Sequence, residues 1–301
     1  MRNFKKVLVT GAGGFLGRHL LAELLKDKGL RVLALDISDK NMPAKYKKLD
    51  NFKFIACDLN NENNLRHIPG DINAVFHLAS LIPYSASVTD ADILNTNITG
   101  TFNLLGYIKR NCQAKRIIFT STVSVYPLGS GKRLNENMIP APNTVYGVSK
   151  LAGEGLVRNI FCGGRHFILR CSSIYGPGQN PSTVLPRFIN KAMKNEDITI
   201  YGKGARKQNF VYVGDVARAA ILCMRSRNGG IYNIASSEST SMIELAKTIA
   251  DLFKSRSRIK FVKEEEGDSV EVDISKAKEI LHFDRPCSLR GGLKEIYDPS
   301  Y

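Results

Sequence analysis

A doubly wound parallel α/β sheet with a smaller mixed α/β C-terminal region is the fold that this 301-residue sequence predicts. Three observations predict it. Short apolar runs alternate with helical patterns across the first half of the chain. The first strand and helix are joined by the glycine-rich "TGAGGFLG" (10–17), and the second strand ends on an acid, Asp36. Alternation of this kind builds βαβ units with right-handed crossovers and hence a parallel sheet. Strands buried on both faces read as continuous apolar, β-branched runs.

The elements follow in order. "KKVLVTG" (5–11) reads as a strand and 15–28 as a helix; "RVLALD" (31–36), "FKFIACDL" (52–59) and "AVFHLAS" (74–80) are further strands. A long helix is expected over 90–111, a strand at "KRIIFTST" (115–122), a helix over 144–161 and a strand at "HFILRC" (166–171). The pattern loosens after about residue 172. "GPGQNPS" (176–182) is loop, followed by a helix near 183–194, a strand near 198–201, "NFVYV" (209–213), and helices near 214–226 and 241–254. The acidic "KEEEGDSVEVD" (263–273) breaks a basic trend. This divides the chain into a dinucleotide-binding domain, 1–172 with returns near 209–234, and a mainly substrate-binding region, 173–301. No internal repeat, low-complexity tract or flexible linker is visible.

Composition narrows the function classes. No apolar run approaches the roughly 20 residues that span a bilayer, and "MRNFKKVLVTG" runs straight into a strand without a signal peptide, so no membrane partner and a cytoplasmic location are expected. Six scattered cysteines without a CxxC and five scattered histidines give no metal spacing. The net charge of +15 is spread in short clusters such as "KYKK" (45–48) and "KSRSRIK" (254–260). No basic helix, zinc finger or aromatic RNA motif accompanies them, so nucleic acid is not the expected partner; a solvated basic surface attracts anionic metabolites instead.

Gly11, Gly14 and Gly17 form G-x-x-G-x-x-G between a strand and a helix. Such glycines permit a tight turn, close approach of a pyrophosphate and close helix–sheet packing. The helix N-terminus then offers N–H groups and the positive end of its dipole. Asp36, 19 residues after Gly17, can accept from a ribose hydroxyl and would repel a 2′-phosphate. The loop therefore reads as a Rossmann-type site preferring NAD over NADP.

"TVYGVSK" places Tyr146 and Lys150 four residues apart on an expected helix, facing the same way. A nearby ammonium favours a phenolate, and a phenol so tuned can serve as base and then acid toward a sugar hydroxyl. Thr122, at the end of the preceding strand, can share that proton.

These residues resemble the extended short-chain dehydrogenases/reductases, specifically the NAD-dependent nucleotide-sugar epimerase/dehydratase group. The resemblance runs over nearly the whole chain, through "TGAGGFLG" (10–17), "CDL" (57–59), "HLAS" (77–80), "NTNITGTFNLL" (95–105), "FTSTVSVY" (119–126), "YGVSK" (146–150), "LRCSSIYGPGQ" (169–179), "GKGARKQNFVYVGDVARA" (202–219) and "GDSVEVDISKA" (267–277). It implies that Gly11, Gly14, Phe15, Leu16 and Gly17 hold the NAD pyrophosphate, Asp36 the adenosine ribose, and Asp58 with Leu59 the adenine. Leu78, Ala79 and Ser80 would line the cofactor with Asn97 nearby. Thr122, Tyr146 and Lys150 would form the catalytic set, Lys150 also holding the nicotinamide ribose. His77 reads as a packed strand-end residue rather than a chemical group.

Within the family, dehydratases usually follow the catalytic Thr with an Asp-Glu pair; here Val123 and Ser124 follow, and 4,6-dehydration is not expected. Asp36 argues against an NADP-linked keto-sugar reductase. The resemblance then implies epimerisation of a nucleoside-diphosphate sugar through a 4-keto intermediate. A keto-sugar reductase and a non-catalytic dinucleotide sensor are the alternatives. The substrate half departs from the family. Its usual Arg-Asp-Phe is Gln208-Asn209-Phe210, with Arg206 two residues earlier; its frequent Asn is Ser173; its frequent Arg-Pro before "GD" is Glu265-Glu266. Gln179, Val184, Leu185, Arg187 and Tyr201 are further candidate pocket residues. Many relatives dimerise through two helices per subunit, here 90–111 and 144–161, which implies a homodimer.

Overall fold

In a computed structural model of the chain, residues 4–129, 131–161, 163–262, 267–284 and 286–297 are described. The strands of the first half are β1 (Lys6–Thr10), β2 (Arg31–Asp36), β3 (Phe52–Ala56), β4 (Ala74–His77), β5 (Arg116–Thr122) and β6 (Arg165–Cys171). The helices among them are α1 (Phe15–Leu24), α2 (Glu62–Leu65), α3 (Asp90–Leu94), α4 (Gly100–Asn111) and α5 (Val145–Ile160). The second half adds β7 (Ser173–Tyr175), α6 (Val184–Met193), β8 (Ile198–Tyr201), β9 (Lys207–Gln208), β10 (Phe210–Tyr212), α7 (Val213–Arg225), β11 (Gly230–Ile234), β12 (Thr240–Ser241), α8 (Met242–Leu252), β13 (Ile259–Val262), α9 (Ser275–Leu281) and α10 (Leu289–Tyr297).

Seven strands form one parallel sheet in the order β11-β6-β5-β4-β1-β2-β3. The fold class expected from the sequence is the one observed. Alternate residues of β1 explain why the runs are apolar throughout: Val7 and Val9 belong to one core layer, with Leu20 and Leu21 of α1 and Ala217 and Ala220 of α7. Leu8 belongs to the opposite layer, with Leu104, Leu105 and Val157. Strand order reverses between β1 and β4, and ligands of open α/β sheets bind outside the carboxyl ends of the strands at such a switch point.

The second half builds its own apolar cluster from α6, α8 and α10, including Leu185, Phe188, Leu245, Ile249 and Leu293. Three short two-stranded ladders, β7–β10, β9–β12 and β8–β13, support it. The strand β13 and the helices α9 and α10 are absent from the sequence-based expectation. They are short and charged, and their periodicity is too brief to stand out.

One expected element differs in kind. The helix over 90–111 is interrupted by a π-helical turn, Asn95–Thr99, between α3 and α4. Such turns re-aim side chains inside a helix and occur often at functional sites. This one carries Asn97.

Candidate active site

The glycine loop makes a cradle that side chains cannot enter. Gly11 has φ +64°, and a Cβ there would lie 2.7 Å from the backbone of Ala79. A Cβ on Gly17 would lie 2.2 Å from the carbonyl oxygen of Gly11. Gly14 caps α1 without a side-chain hydrogen bond, and no acid stands in the first turn. The leading N–H groups are thus left for an external acceptor. Asp36 braces the loop: its carboxylate accepts from the Gly13 N–H at 2.8 Å and the Ile37 N–H at 2.8 Å. Phe15 and Leu16 are half-buried at the loop's rim, Asp58 is exposed after β3, and Leu59 beside it is buried. Leu78, Ala79 and Ser80 leave the end of β4 half-buried along the same opening. A dinucleotide's diphosphate fits this cradle by shape and by its unused donors.

Behind the cradle runs a buried hydroxyl–imidazole relay. Thr101 donates to the Asn97 carbonyl at 2.6 Å, so its oxygen accepts from His77 Nε2 at 2.9 Å. His77 Nδ1 must then accept from the Thr10 hydroxyl at 2.7 Å, and Thr10 in turn accepts from the Ala79 N–H at 3.2 Å. Burial, helped by the Lys150 charge, pushes the imidazole down to about 3. His77 is a neutral structural group, as its sequence context suggested. Asn97 needs a correction. Its Nδ2 donates to the Leu81 carbonyl and Ser149 Oγ, and its Oδ1 accepts from the Leu81 N–H and Ser80 Oγ. All four of its hydrogen-bonding positions are committed within the chain, so Asn97 positions Ser80 and Ser149 rather than touching the cofactor with its amide.

Tyr146 and Lys150 stand one turn apart on α5. Thr144 caps that helix through the Gly147 N–H at 3.1 Å. The close approach of the turn after β5 requires Gly147, where a Cβ would lie 2.5 Å from the Ser124 carbonyl oxygen. Thr122 caps this turn, accepting from the Ser124 N–H at 3.1 Å. Ser149 ties the circuit closed, donating to the Tyr146 carbonyl at 2.8 Å. The electrostatics differ from the sequence expectation. Burial pushes the Tyr146 phenol well above its usual value, with Tyr84 and Cys171 adding to the rise and a hydrogen bond with Ser80 opposing it. Burial also pushes Lys150 down to about 8, and its ammonium sits 4.5 Å from the centre of the Phe119 ring. In the protein alone, desolvation outweighs the attraction expected between ammonium and phenolate.

This gives a stability prediction. A lysine depressed in the folded state contributes stability that is full above its unfolded value near 10.5 and is lost as pH falls through about 8. Lys150→Met removes that penalty. We expect it to abolish turnover while stabilising the dinucleotide-free chain at pH 7 by about 1–3 kcal/mol. The gain should shrink between pH 8 and 10.5, as read by denaturant unfolding at each pH. A variant less stable than wild type at pH 7 would contradict this.

A second opening, a cavity of about 300 Å³, lies between α6 and β8. The sequence candidates Val184, Arg187, Tyr201 and Arg206 line it, together with Phe188, Lys191, Thr199, Ile200 and Met242, which are not sequence candidates. The missed signal was local: Lys191 follows Arg187 by one helical turn, and Thr199 alternates with Tyr201 along β8. No carboxylate lines the cavity among the described residues, whereas Arg187, Lys191 and Arg206 all do. Leu185 needs a correction: it is fully buried in the C-terminal apolar cluster, because α6 turns it, Phe188 and Ile189 toward α8. Ser173 and Gln208 are on adjacent ladders, and Gln208 Nε2 donates to Ser173 Oγ at 2.5 Å. Gln179 lies on the loop after β7, near α1. Glu265 and Glu266 lie outside the described residues. No group of histidine, cysteine, aspartate or glutamate among the described residues could hold a metal, and no helix among them is long and apolar enough to cross a membrane.

A dinucleotide cradle at the switch point of a parallel sheet, facing a Tyr–Lys pair on the next layer, defines a nicotinamide-dependent enzyme site of the short-chain dehydrogenase/reductase type. The chain belongs to the NAD dependent epimerase/dehydratase family, whose model matches residues 7–235. NAD is accordingly its cofactor. It is 33% identical over 313 residues to an uncharacterized UDP-glucose epimerase, YtcB, of Bacillus subtilis, with 96% of this chain and 95% of that protein covered. It is 30% identical over 311 residues to a UDP-N-acetyl-alpha-D-glucosaminuronate decarboxylase of Bacillus cytotoxicus, covering 97% and 96%. The crystal structure of UDP-glucuronic acid 4-epimerase from Bacillus cereus, in complex with UDP-glucuronic acid and NAD, superposes with a TM-score of 0.84 at 29% identity, covering 97% of this chain and 98% of that one.

Proposed function

We propose that the protein is an NAD-dependent 4-epimerase of a nucleoside-diphosphate sugar. The observation that carries this is the pair of half-buried Tyr146 and buried Lys150 with no carboxyl group at Val123 or Ser124, where a dehydrating acid or base would stand. Tyr146 takes the proton of the C4 hydroxyl, Thr122 holds that oxygen, and C4 loses its hydride in the same step to become a ketone. The sugar turns over about its diphosphate linkage, and the reverse transfer restores a hydroxyl of opposite configuration. When bound, NAD would supply the hydride acceptor and donor, and the positive charge of its oxidised ring would favour the phenolate that burial alone disfavours. Lys150 holds the nicotinamide ribose. The three cations of the cavity and the aromatic Tyr201 and Phe188 suit a nucleoside diphosphate, since guanidinium groups match phosphate oxygens.

The test is turnover of UDP-glucose, UDP-N-acetylglucosamine and UDP-glucuronic acid with NAD⁺, followed by proton NMR. Appearance of the C4 epimer of any of them supports the reading. Carbon dioxide and a pentose product from UDP-glucuronic acid would replace it with a decarboxylase, the activity named for one relative. Net consumption of NADH with a keto-sugar would replace it with a reductase.

The enzyme is also proposed to be a cytoplasmic homodimer. Leu94, Phe102 and Val148 are 38%, 53% and 46% exposed, and they lie on the two helical segments, 90–111 and 144–161, through which the family resemblance implies a dimer. Ile98 and Phe102 follow Leu94 across and beyond the π-helical turn, and open space surrounds Gly155 on α5. We expect Phe102→Glu to convert a wild-type dimer to a monomer in multi-angle light scattering. A monomeric wild type would refute the dimer.

A further inference from the structure

Arg18, in the opening turns of α1, faces a loop of the second half. Its Nη2 donates to the Gly178 carbonyl at 3.3 Å, and the neighbouring His19 donates from Nε2 to the Pro177 carbonyl at 2.9 Å. The loop presses close: a Cβ on Gly178, which has φ +79°, would lie 2.9 Å from Arg18 Nη2. Yet the Nε–H of Arg18 is buried without a partner, and so is the Oε1 of Gln179, one residue beyond the carbonyl that Arg18 holds. A buried donor and a buried acceptor, neither satisfied by the chain, stand beside a helix N-terminus that no side chain caps. Leaving such groups unpaired is costly. Arg18 follows Gly17 at the N-terminal end of α1, and helical side chains lean toward the N-terminus.

We propose that Arg18 is a ligand of the cofactor's diphosphate, with its Nε–H completed by a phosphate oxygen. A diphosphate flanked by ribose hydroxyls carries both the acceptor that Arg18 lacks and the donor that Gln179 lacks. The carbonyl of Gly178 fixes the guanidinium from the other side, so the loop of the substrate region helps to aim a cofactor ligand. The inference rests on the cofactor, not on the sugar chemistry, and would survive a different substrate. It concerns a residue outside the glycine motif, which acts through backbone groups alone.

The test is isothermal titration of wild type, Arg18→Met, Arg18→Lys and His19→Phe with ADP-ribose, adenosine and UDP. Arg18→Met keeps the stem and removes the guanidinium. It should weaken ADP-ribose about 10- to 100-fold, as expected for a charge-assisted phosphate contact. Adenosine and UDP should stay within about twofold of wild type. Arg18→Lys should recover part of the loss, and a plot of log affinity against log salt should flatten in Arg18→Met. Equal weakening of adenosine and ADP-ribose would make Arg18 a structural strut and overturn the proposal. Weakening of UDP alone would assign the guanidinium to the substrate's diphosphate and overturn it too. An unchanged ADP-ribose affinity has the same consequence. His19→Phe removes one of the two hydrogen bonds that tie the loop to α1 without touching the guanidinium; a loss matching that of Arg18→Met would show that the tether, not the charge, holds the ligand and would overturn the proposal.

Discussion

Tyr146→Phe is expected to lower turnover by about three orders of magnitude and to leave NAD affinity within a few-fold of wild type. The size follows from what the hydroxyl does. Positioned acid–base groups contribute about 10²- to 10⁴-fold, and the residual rate comes from a substrate still held beside the cofactor. The phenyl ring remains, so the packing of α5 on the turn after β5 is kept. Its hydroxyl meets Ser80, whose own hydrogen goes to Asn97 at 3.2 Å; removing it leaves Ser80 with its donor still satisfied. The loss should therefore appear in kcat rather than in KM. The pH profile supplies a second reading. Burial raises the phenol in the protein alone, so activity of the loaded wild-type enzyme should rise with pH as the phenolate forms. A Tyr146→Phe enzyme should lose the rising limb. Full activity in that variant would remove Tyr146 from the chemistry and with it the epimerase mechanism.

The two halves of the site were not equally legible in the sequence. The glycine loop and Asp36 are local signals. Their spacing fixes a turn, a helix start and a strand end, and the sheet then brings them together, with Asp36 bonded to Gly13. Tyr146 and Lys150 are four residues apart on one helix, so their shared face needs no tertiary knowledge. Their electrostatics do. Whether an ammonium beside a phenol stabilises the phenolate depends on how deeply both are buried, and burial reversed the expected direction here. Asn97 shows the same limit. The sequence places it near the cofactor, but only the π-helical turn reveals that its amide is spent on Ser80, Leu81 and Ser149. The cavity of the second half was half legible. Arg206 stands out as a cation two residues before a departure from the family pattern and Arg187 is a candidate on the α6 segment, whereas Lys191 reads as an ordinary surface lysine until α6 folds against β8.

Glu154→Gln should cost about 3–5 kcal/mol of stability, the largest effect expected of any single substitution on α5. Glu154 is one turn beyond Lys150 and faces the sheet. Its carboxylate accepts from Arg170 Nε at 2.9 Å and Nη2 at 2.7 Å, and from Ser121 Oγ at 2.6 Å. Both ends of the ion pair are nearly inaccessible, with side-chain exposures of 3% for Arg170 and 4% for Glu154. The guanidinium lies 4.7 Å from the centre of the Tyr126 ring, and its Nη1 is already without a partner. Removing the carboxylate charge strands a buried cation that has no route to water. An ion pair replaced at both ends behaves differently, because neither charge must then be desolvated. Glu154→Leu combined with Arg170→Met should recover most of the loss in urea unfolding, and the coupling between the two sites should approach the cost of the single change. Additive costs in the double variant would mean that packing, not charge, dominates there. The pair also reaches the chemistry, since the Glu154 charge raises the Lys150 ammonium against its burial. The folded fraction of Glu154→Gln should therefore hold a more readily neutralised lysine, and its activity should decline at lower pH than that of wild type.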